Sequence, residues 1–275
     1  MYHEDVTIRP ALAPMVRRIV GYRYHGLPAG VHVGMPSTTI TVVISLDDGL
    51  AVSWPSAQAT PRRYDVVVSG LQYGPTYIHH DGSQHGIHVE LTPAGARRLL
   101  GRPIGEVTGV AAELADLLGR SAASFREALV DGPDWPARYR LLDRELLRWF
   151  DRAGGNRLGP APQVGRAWQL VVGSGGTLPI GRVAAEVGWS TRHLGERFRA
   201  EYGVTPKTMA RVARFGRSAM LRRRDTSIAA VADRCGYADQ AHLTREWQQF
   251  AGTTPTRWWA QDRLAFVQDD RAPAG

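Results

Sequence analysis

Seven polar residues near the end of this 275-residue chain stand at helical spacing: Arg192, Glu196 and Arg199 in one segment, Gln240, Thr244, Arg245 and Gln248 in another. These side chains can bond the exposed edges of base pairs. Arginine spans guanine O6 and N7, glutamine pairs with adenine, glutamate accepts from cytosine N4, and threonine offers a hydroxyl or packs on the thymine methyl. Arg245 therefore suits guanine, Gln240 or Gln248 adenine, Glu196 cytosine, and Thr244 a base edge or methyl. Arg192 suits base or backbone, and Arg199 a phosphate. Any one of them is equally a polar residue on a solvated helix face, so the elements beneath them must decide.

Those elements are written twice. Val183-Ala184-Ala185-Glu186-Val187-Gly188-Trp189 returns 48 positions later as Val231-Ala232-Asp233-Arg234-Cys235-Gly236-Tyr237. His193-Leu194, Phe198, Gly203 and Thr205-Pro206 return 49 positions later as His242-Leu243, Trp247, Gly252 and Thr254-Pro255. A fixed-period repeat signals a duplicated structural unit. Each copy reads as helix, glycine turn and second helix, the pattern that places a helix in the major groove. In the first copy the leading helix is Ile180 to Val187, and Ser190 is placed to cap the second. Leu194, Phe198 and Glu201/Tyr202 fall on one helix side, with Arg192, Gly195, Glu196 and Arg199 on the other. In the second copy Leu243, Trp247 and Phe250 face in, and Ala241, Thr244, Arg245 and Gln248 face out. The inward sets match and the outward sets differ, so the two helices should read different base sequences.

Between the copies, Pro206 opens a helix expected to run to Arg224, with Met209, Val212, Phe215 and Met220 mostly at helical spacing. Eighteen residues of helix would span ~27 Å, compatible with holding two readers about one DNA turn, ~34 Å, apart. Arg222, Arg223 and Arg224 at its end suit either the helix C-terminal dipole or phosphate. Ser190 and Thr191 are further candidates for the DNA backbone.

Charge follows the repeat. Of 34 basic residues only Lys207 is lysine. That fits either a GC-rich coding sequence or arginine's bidentate grip on phosphate and guanine. Residues 1–160 hold 17 basic against 16 acidic residues, and residues 161–275 hold 17 against 10. The excess thus lies where phosphates would need neutralising. The single cysteine, Cys235, excludes an internal disulfide framework, fits a reducing compartment and reads as a small buried residue. The sequence shows no signal peptide, and no apolar run approaches the ~20 residues that span a bilayer. A cytoplasmic protein without a membrane segment is expected.

The first half differs in texture. From about Val31 to Leu91 it is β-like, with strands predicted at Thr39 to Leu46, Leu50 to Trp54, Tyr64 to Leu71, Thr76 to His80 and Gly86 to Leu91. Helices are predicted at Ala94 to Leu100 behind a Thr92-Pro93 start, at Ala111 to Leu118, at Ala122 to Val130 and at Trp135 to Phe150. A Gly- and Pro-rich stretch over 153–162 reads as a linker, and a helix from about Val164 to Val172 opens the second domain. The expected fold is α+β. An N-terminal antiparallel β-sandwich or barrel with flanking helices (1–152) precedes an all-α domain of two helix-turn-helix units joined by a long helix (163–262) and a tail (263–275).

Residues from about 165 to 260 closely resemble the AraC/XylS family of bacterial transcription regulators. The resemblance rests on Ala229-Ala230-Val231-Ala232-Asp233-Arg234-Cys235-Gly236-Tyr237, His242-Leu243-Thr244-Arg245 and Gly252-Thr253-Thr254-Pro255. It implies two helix-turn-helix subdomains on adjacent major-groove segments of promoter DNA, usually as an activator, with RNA polymerase as a partner. Carried over by position, Arg192 and Glu196 in the first copy and Gln240, Thr244 and Arg245 in the second would read bases. Many members have arginine where this chain has Glu196 and a longer side chain at Gly195, so the first reader departs from the pattern. The resemblance further implies a cupin-like sensor domain at the N-terminus, which leaves open a small-molecule effector and a homodimer.

One feature of the first half competes with this picture. His79, His80, His85 and His88 lie with Asp81 and Glu90 across a turn and a strand, and imidazoles with carboxylates can hold a metal. A cupin-like metal-dependent enzyme or metal sensor fused to a DNA-binding domain is the alternative. The histidines have no recognised ligand spacing, however, and no phosphate loop, nucleophile elbow or CxxC pair accompanies them. A polar turn and strand face is preferred, with no metal, no cofactor and no enzyme activity expected.

Overall fold

Alternation with period two builds the first domain. In the computed structural model, which describes residues 2–152, 160–221 and 227–261, ten strands form two antiparallel sheets. They are β1 (Tyr2–Asp5), β2 (Val16–Tyr24), β3 (Gly30–Gly34), β4 (Ile40–Ser45), β5 (Leu50–Ser53), β6 (Arg62–Tyr64), β7 (Val66–Ser69), β8 (Thr76–His80), β9 (Gln84–Leu91) and β10 (Ala111–Glu113). The larger sheet runs β1-β2-β9-β4-β7-β10 and the smaller β3-β8-β5-β6. Successive side chains of a strand point to opposite faces. Ile87, Val89 and Leu91 therefore join one core with helical residues, while Tyr22, Tyr24, Val43 and Val67 meet Leu50 and Val52 of the smaller sheet in another. The antiparallel sandwich with flanking helices is as expected.

Local detail departs from expectation in three places. Tyr64 to Leu71 is two strands rather than one, because the chain crosses between the sheets at Asp65. The Asp65 and Val66 amides there both donate to the Glu113 carboxylate at 2.9 Å. For the same reason 111–113 is an edge strand paired with β7, and the helix expected from Ala111 begins at Leu114. The strands before Val31 are the third difference. Arg17, Arg18 and Arg23 interrupt the apolar pattern of β2, yet Arg18 is neutralised across the sheet by Asp5, Nε to Oδ1 2.6 Å.

Helices follow where capping signals stand. Thr92 caps α1 (Pro93–Leu100), its Oγ1 accepting from the Gly95 amide at 3.0 Å. After a 3-10 turn at Ile104–Val107 come α2 (Leu114–Leu118), α3 (Arg120–Val130) and α4 (Trp135–Arg152), which bury Phe125, Leu142, Leu146 and Trp149. The all-α region holds α5 (Pro162–Gly173), α6 (Ile180–Glu186), α7 (Thr191–Tyr202), α8 (Pro206–Met220), α9 (Ile228–Arg234), α10 (Gln240–Ala251) and α11 (Pro255–Gln261). Most of the predicted linker, Arg222, Arg223 and Arg224, and the tail from 263 lie outside the described residues. No helix of the described residues is long and apolar enough to cross a membrane.

Candidate nucleic-acid interface

Two helix pairs, α6–α7 and α9–α10, repeat one geometry. Each turns at a glycine with positive φ, Gly188 at 74° and Gly236 at 73°, where a side chain would be strained. Each second helix is capped by the residue before it. Ser190 accepts from the His193 amide at 3.2 Å, and Asp239 from the His242 amide at 2.6 Å. Even the aromatic contact after the turn repeats: Trp189 meets His193 edge-on at 4.7 Å, and Tyr237 meets His242 at 5.2 Å.

Beneath the readers lie matched cores. Leu194, Phe198 and Tyr202 are buried in the first copy, and Leu243, Trp247 and Phe250 in the second. Phe198 packs against Trp168 of α5, while Trp247 and Phe250 pack against Phe215 of α8. Cys235 is fully buried, and burial pushes its thiol pKa up, as suits a packing residue.

The outward sets are solvent-facing. Ser190, Thr191, Arg192, Glu196 and Arg199 are exposed, as are Gln240, Arg245 and Gln248. The two sets are not chemically alike. Arg192 and Glu196 pair with each other one turn apart, Nε to Oε1 3.0 Å, so this reader carries a self-neutralised patch. Arg245 has Ala241 and Gln249 one turn away on its helix, neither of them a carboxylate, and half-buried Thr244 donates its hydroxyl to the Gln240 carbonyl at 2.9 Å. That bond uses the hydroxyl proton and leaves the Thr244 methyl and oxygen lone pairs available.

α8 connects the copies and is shorter in the described residues than expected: 15 residues, about 22 Å at 1.5 Å per residue. Met209, Val212 and Phe215 are buried as the pattern suggests, but Met220 is 51% exposed. Met220 lines a cavity of about 470 Å³ between α5 and α8 on one side and Arg17, Thr39, His88 and Glu90 of the β-domain on the other. A second cavity, of about 80 Å³, lies between the two sheets.

The sequence reasoning missed the charges that hold the readers. Glu246, 4% exposed, accepts from Arg211 of α8 at 2.6 Å and has Arg214 at 3.8 Å. Glu201, at the end of α7, meets Arg97 of α1. Both carboxylates sit on the inward side of their helices, where the helical period would have flagged a charge in need of a partner.

The four candidate histidines are divided by strand alternation. His79 bonds Ser53 Oγ at 2.8 Å, and His85 meets Trp135 of α4 edge-on at 5.4 Å. His88 is buried with its Nε2 3.7 Å from Glu90, and burial lowers its pKa to about 3. His80, on β8, is also held below its usual value by burial, with His32 nearby. Among the described residues no three His, Cys, Asp or Glu side chains form a group that could hold a metal.

Comparison with known proteins agrees with this geometry. Residues 183–261 match the family model of a helix-turn-helix domain. The whole fold is similar to that of ToxT from Vibrio cholerae. An apo variant of ToxT gives a TM-score of 0.53 at 11% identity, covering 87% of this chain and 96% of that one. Wild-type ToxT bound to an unsaturated fatty acid gives 0.50 at 9% identity, covering 87% and 94%. The AraC-like transcriptional activator CuxR gives 0.27 at 15% identity, covering 74% and 86%. No curated protein sequence matches the chain.

The duplicated helical module and the family match over it define a helix-turn-helix domain, and the chain shares with ToxT a fold in which an N-terminal β-domain precedes the helical one.

Proposed function

We propose that this protein is a sequence-specific promoter-binding regulator, acting as an activator with RNA polymerase in the cytoplasm. Its readers α7 and α10 enter two adjacent major-groove segments of different sequence. One observation carries the reading: a duplicated, buried scaffold presents two exposed polar faces that differ at every outward position. In this reading Arg245, Gln240, Thr244 and Gln248 contact bases from α10, Arg192 and Glu196 from α7, and Arg199, Ser190 and Thr191 lie near the backbone. The run Arg222 to Arg224 is assigned to phosphates.

Control belongs to the β-domain. Its interdomain cavity joins apolar Met35, Phe215 and Met220 to Arg17 and Arg217, a combination suited to an apolar acid. The fatty acid bound by ToxT supports an effector of that chemistry here.

Selection of binding sites from random duplex DNA, followed by footprinting and a salt titration, tests the reading. Protection over about two turns is expected, with log K falling linearly against log [salt]. Equal affinity for unrelated duplexes would refute it.

A further inference from the structure

Each reader helix carries one buried carboxylate, and the two are tied to different parts of the molecule. Glu246 of α10 is held by Arg211 of α8, so the second reader is fixed to the connecting helix. Glu201 of α7 meets Arg97 of α1 instead, Nη1 to Oε2 2.5 Å, across the boundary between the β-domain and the helical domain. At the repeat position of Glu201 the second copy has Phe250, packed on Phe215.

Two further contacts converge on the same end of α7. Thr108 donates its hydroxyl to the Tyr202 carbonyl at 2.8 Å. Gly105, in the 3-10 turn, lies so near α7 that a Cβ on it would stand 2.9 Å from the Gly203 amide nitrogen and 3.2 Å from the Ala200 carbonyl. A Cβ on Gly203 would in turn come within 2.6 Å of Thr108. The equivalent end of α10 is looser. A Cβ on Gly252 would meet only the Tyr77 hydroxyl at 3.2 Å and Pro75 at 3.8 Å, and a cavity of about 700 Å³ lies between this end and the smaller sheet.

We propose that Arg97 and Glu201 are positioning residues through which the β-domain sets the direction of the first reader relative to the second. The contact grips the C-terminal turn of α7 and leaves Arg192, Glu196 and Arg199 exposed, so it aims the reader without covering it. A short, largely buried ion pair suits this role because its geometry is directional and it is poorly screened. The chain also supplies a route. β9, whose His88 and Glu90 line the interdomain cavity, runs through Thr92 directly into α1 and Arg97. A shift of β9 would move α7 and leave α10, fixed to α8, where it is.

The proposal rests on the DNA-reading function above, and its test uses the full chain on a site selected from random duplex DNA. The segment whose base preference Arg245→Ala relaxes belongs to α10, and the other belongs to α7. Binding is measured on the intact site and on a site with the α7 segment scrambled. Arg97→Gln and Glu201→Gln should each weaken binding to the intact site roughly tenfold, and the double variant no further, because the two act as one pair. Thr108→Val should weaken it by a smaller factor, and it serves as the test if the charge variants melt early. On the scrambled site all variants should bind like the parent. Unchanged or tighter binding to the intact site, or equal losses on both sites, would overturn the positioning role while leaving the DNA-reading function standing. A parent chain with no sequence preference would remove that function and this inference with it.

Discussion

Phe198 and Trp247 occupy the same position of the repeat, and their surroundings differ. Phe198 lies 5.8 Å from Trp168 of α5 and 4.7 Å from Tyr202, ring centre to ring centre. Trp247 lies 5.0 Å from Phe215 of α8 and 5.3 Å from Trp258 of α11, and donates its indole N–H to Ser218 at 2.9 Å. Each copy thus closes its core with a different neighbouring helix. Duplication preserved the inward residue type, and the support diverged along with the reading face. Both readers belong to one continuous buried cluster, but each rests on a different aromatic patch of it, and the patches can be disturbed one at a time.

The largest effect should come from emptying one of these patches. Trp247→Ala removes a fully buried indole and the N–H that donates to the Ser218 oxygen, a loss of about 3–5 kcal/mol of stability. Thermal melting should show an early transition, and footprinting should lose the α10 segment while keeping some protection over the α7 segment. Phe198→Ala should do the reverse. Simultaneous loss of both footprints in either variant would mean that the two patches unfold as one unit.

Next in size is Arg245→Ala, which should cost roughly 1–3 kcal/mol of binding and relax preference at one base pair, without changing the melting temperature. Unaltered base preference at every position would take Arg245 out of the groove. Below it come the caps. Asp239 accepts a shorter bond than Ser190 and adds a negative charge at a helix N-terminus, so Asp239→Ala should destabilise by about 1 kcal/mol and Ser190→Ala by less. Equal melting shifts would show that the second cap gains nothing from its charge.

How much of this was legible depends on the range of the forces involved. Helical period and capping chemistry are local, so Ser190, Gly188 and the inward set of α7 could be read from sequence. Alternation along β9 likewise places His88 and Glu90 on one face and Ile87 and Val89 on the other. The crossing at Asp65 was not legible, because the Glu113 carboxylate that ends both neighbouring strands lies 48 residues away. Arg97 and Glu201 are 104 residues apart. Inward charges on α7 and α10 announce that partners must exist, but the tertiary fold chooses them. The interdomain cavity was hidden for the same reason, since its walls come from both halves of the chain.

The smallest effect separates the two faces most finely. Arg192 and Glu196 form an exposed pair at a spacing of four residues, worth only about 0.3–0.5 kcal/mol to the helix. Glu196→Ala should therefore leave the melting temperature nearly unchanged. It releases Arg192, whose guanidinium can then turn to guanine or phosphate, and it removes a negative charge from a face that approaches DNA. Preference within the α7 segment should shift away from a cytosine contact, while overall affinity changes little or rises at low salt. Competition binding against single-base variants of the selected site reads both quantities. If preference holds at every α7 position, Glu196 is a solvated partner of Arg192 and only the second copy reads bases by direct contact.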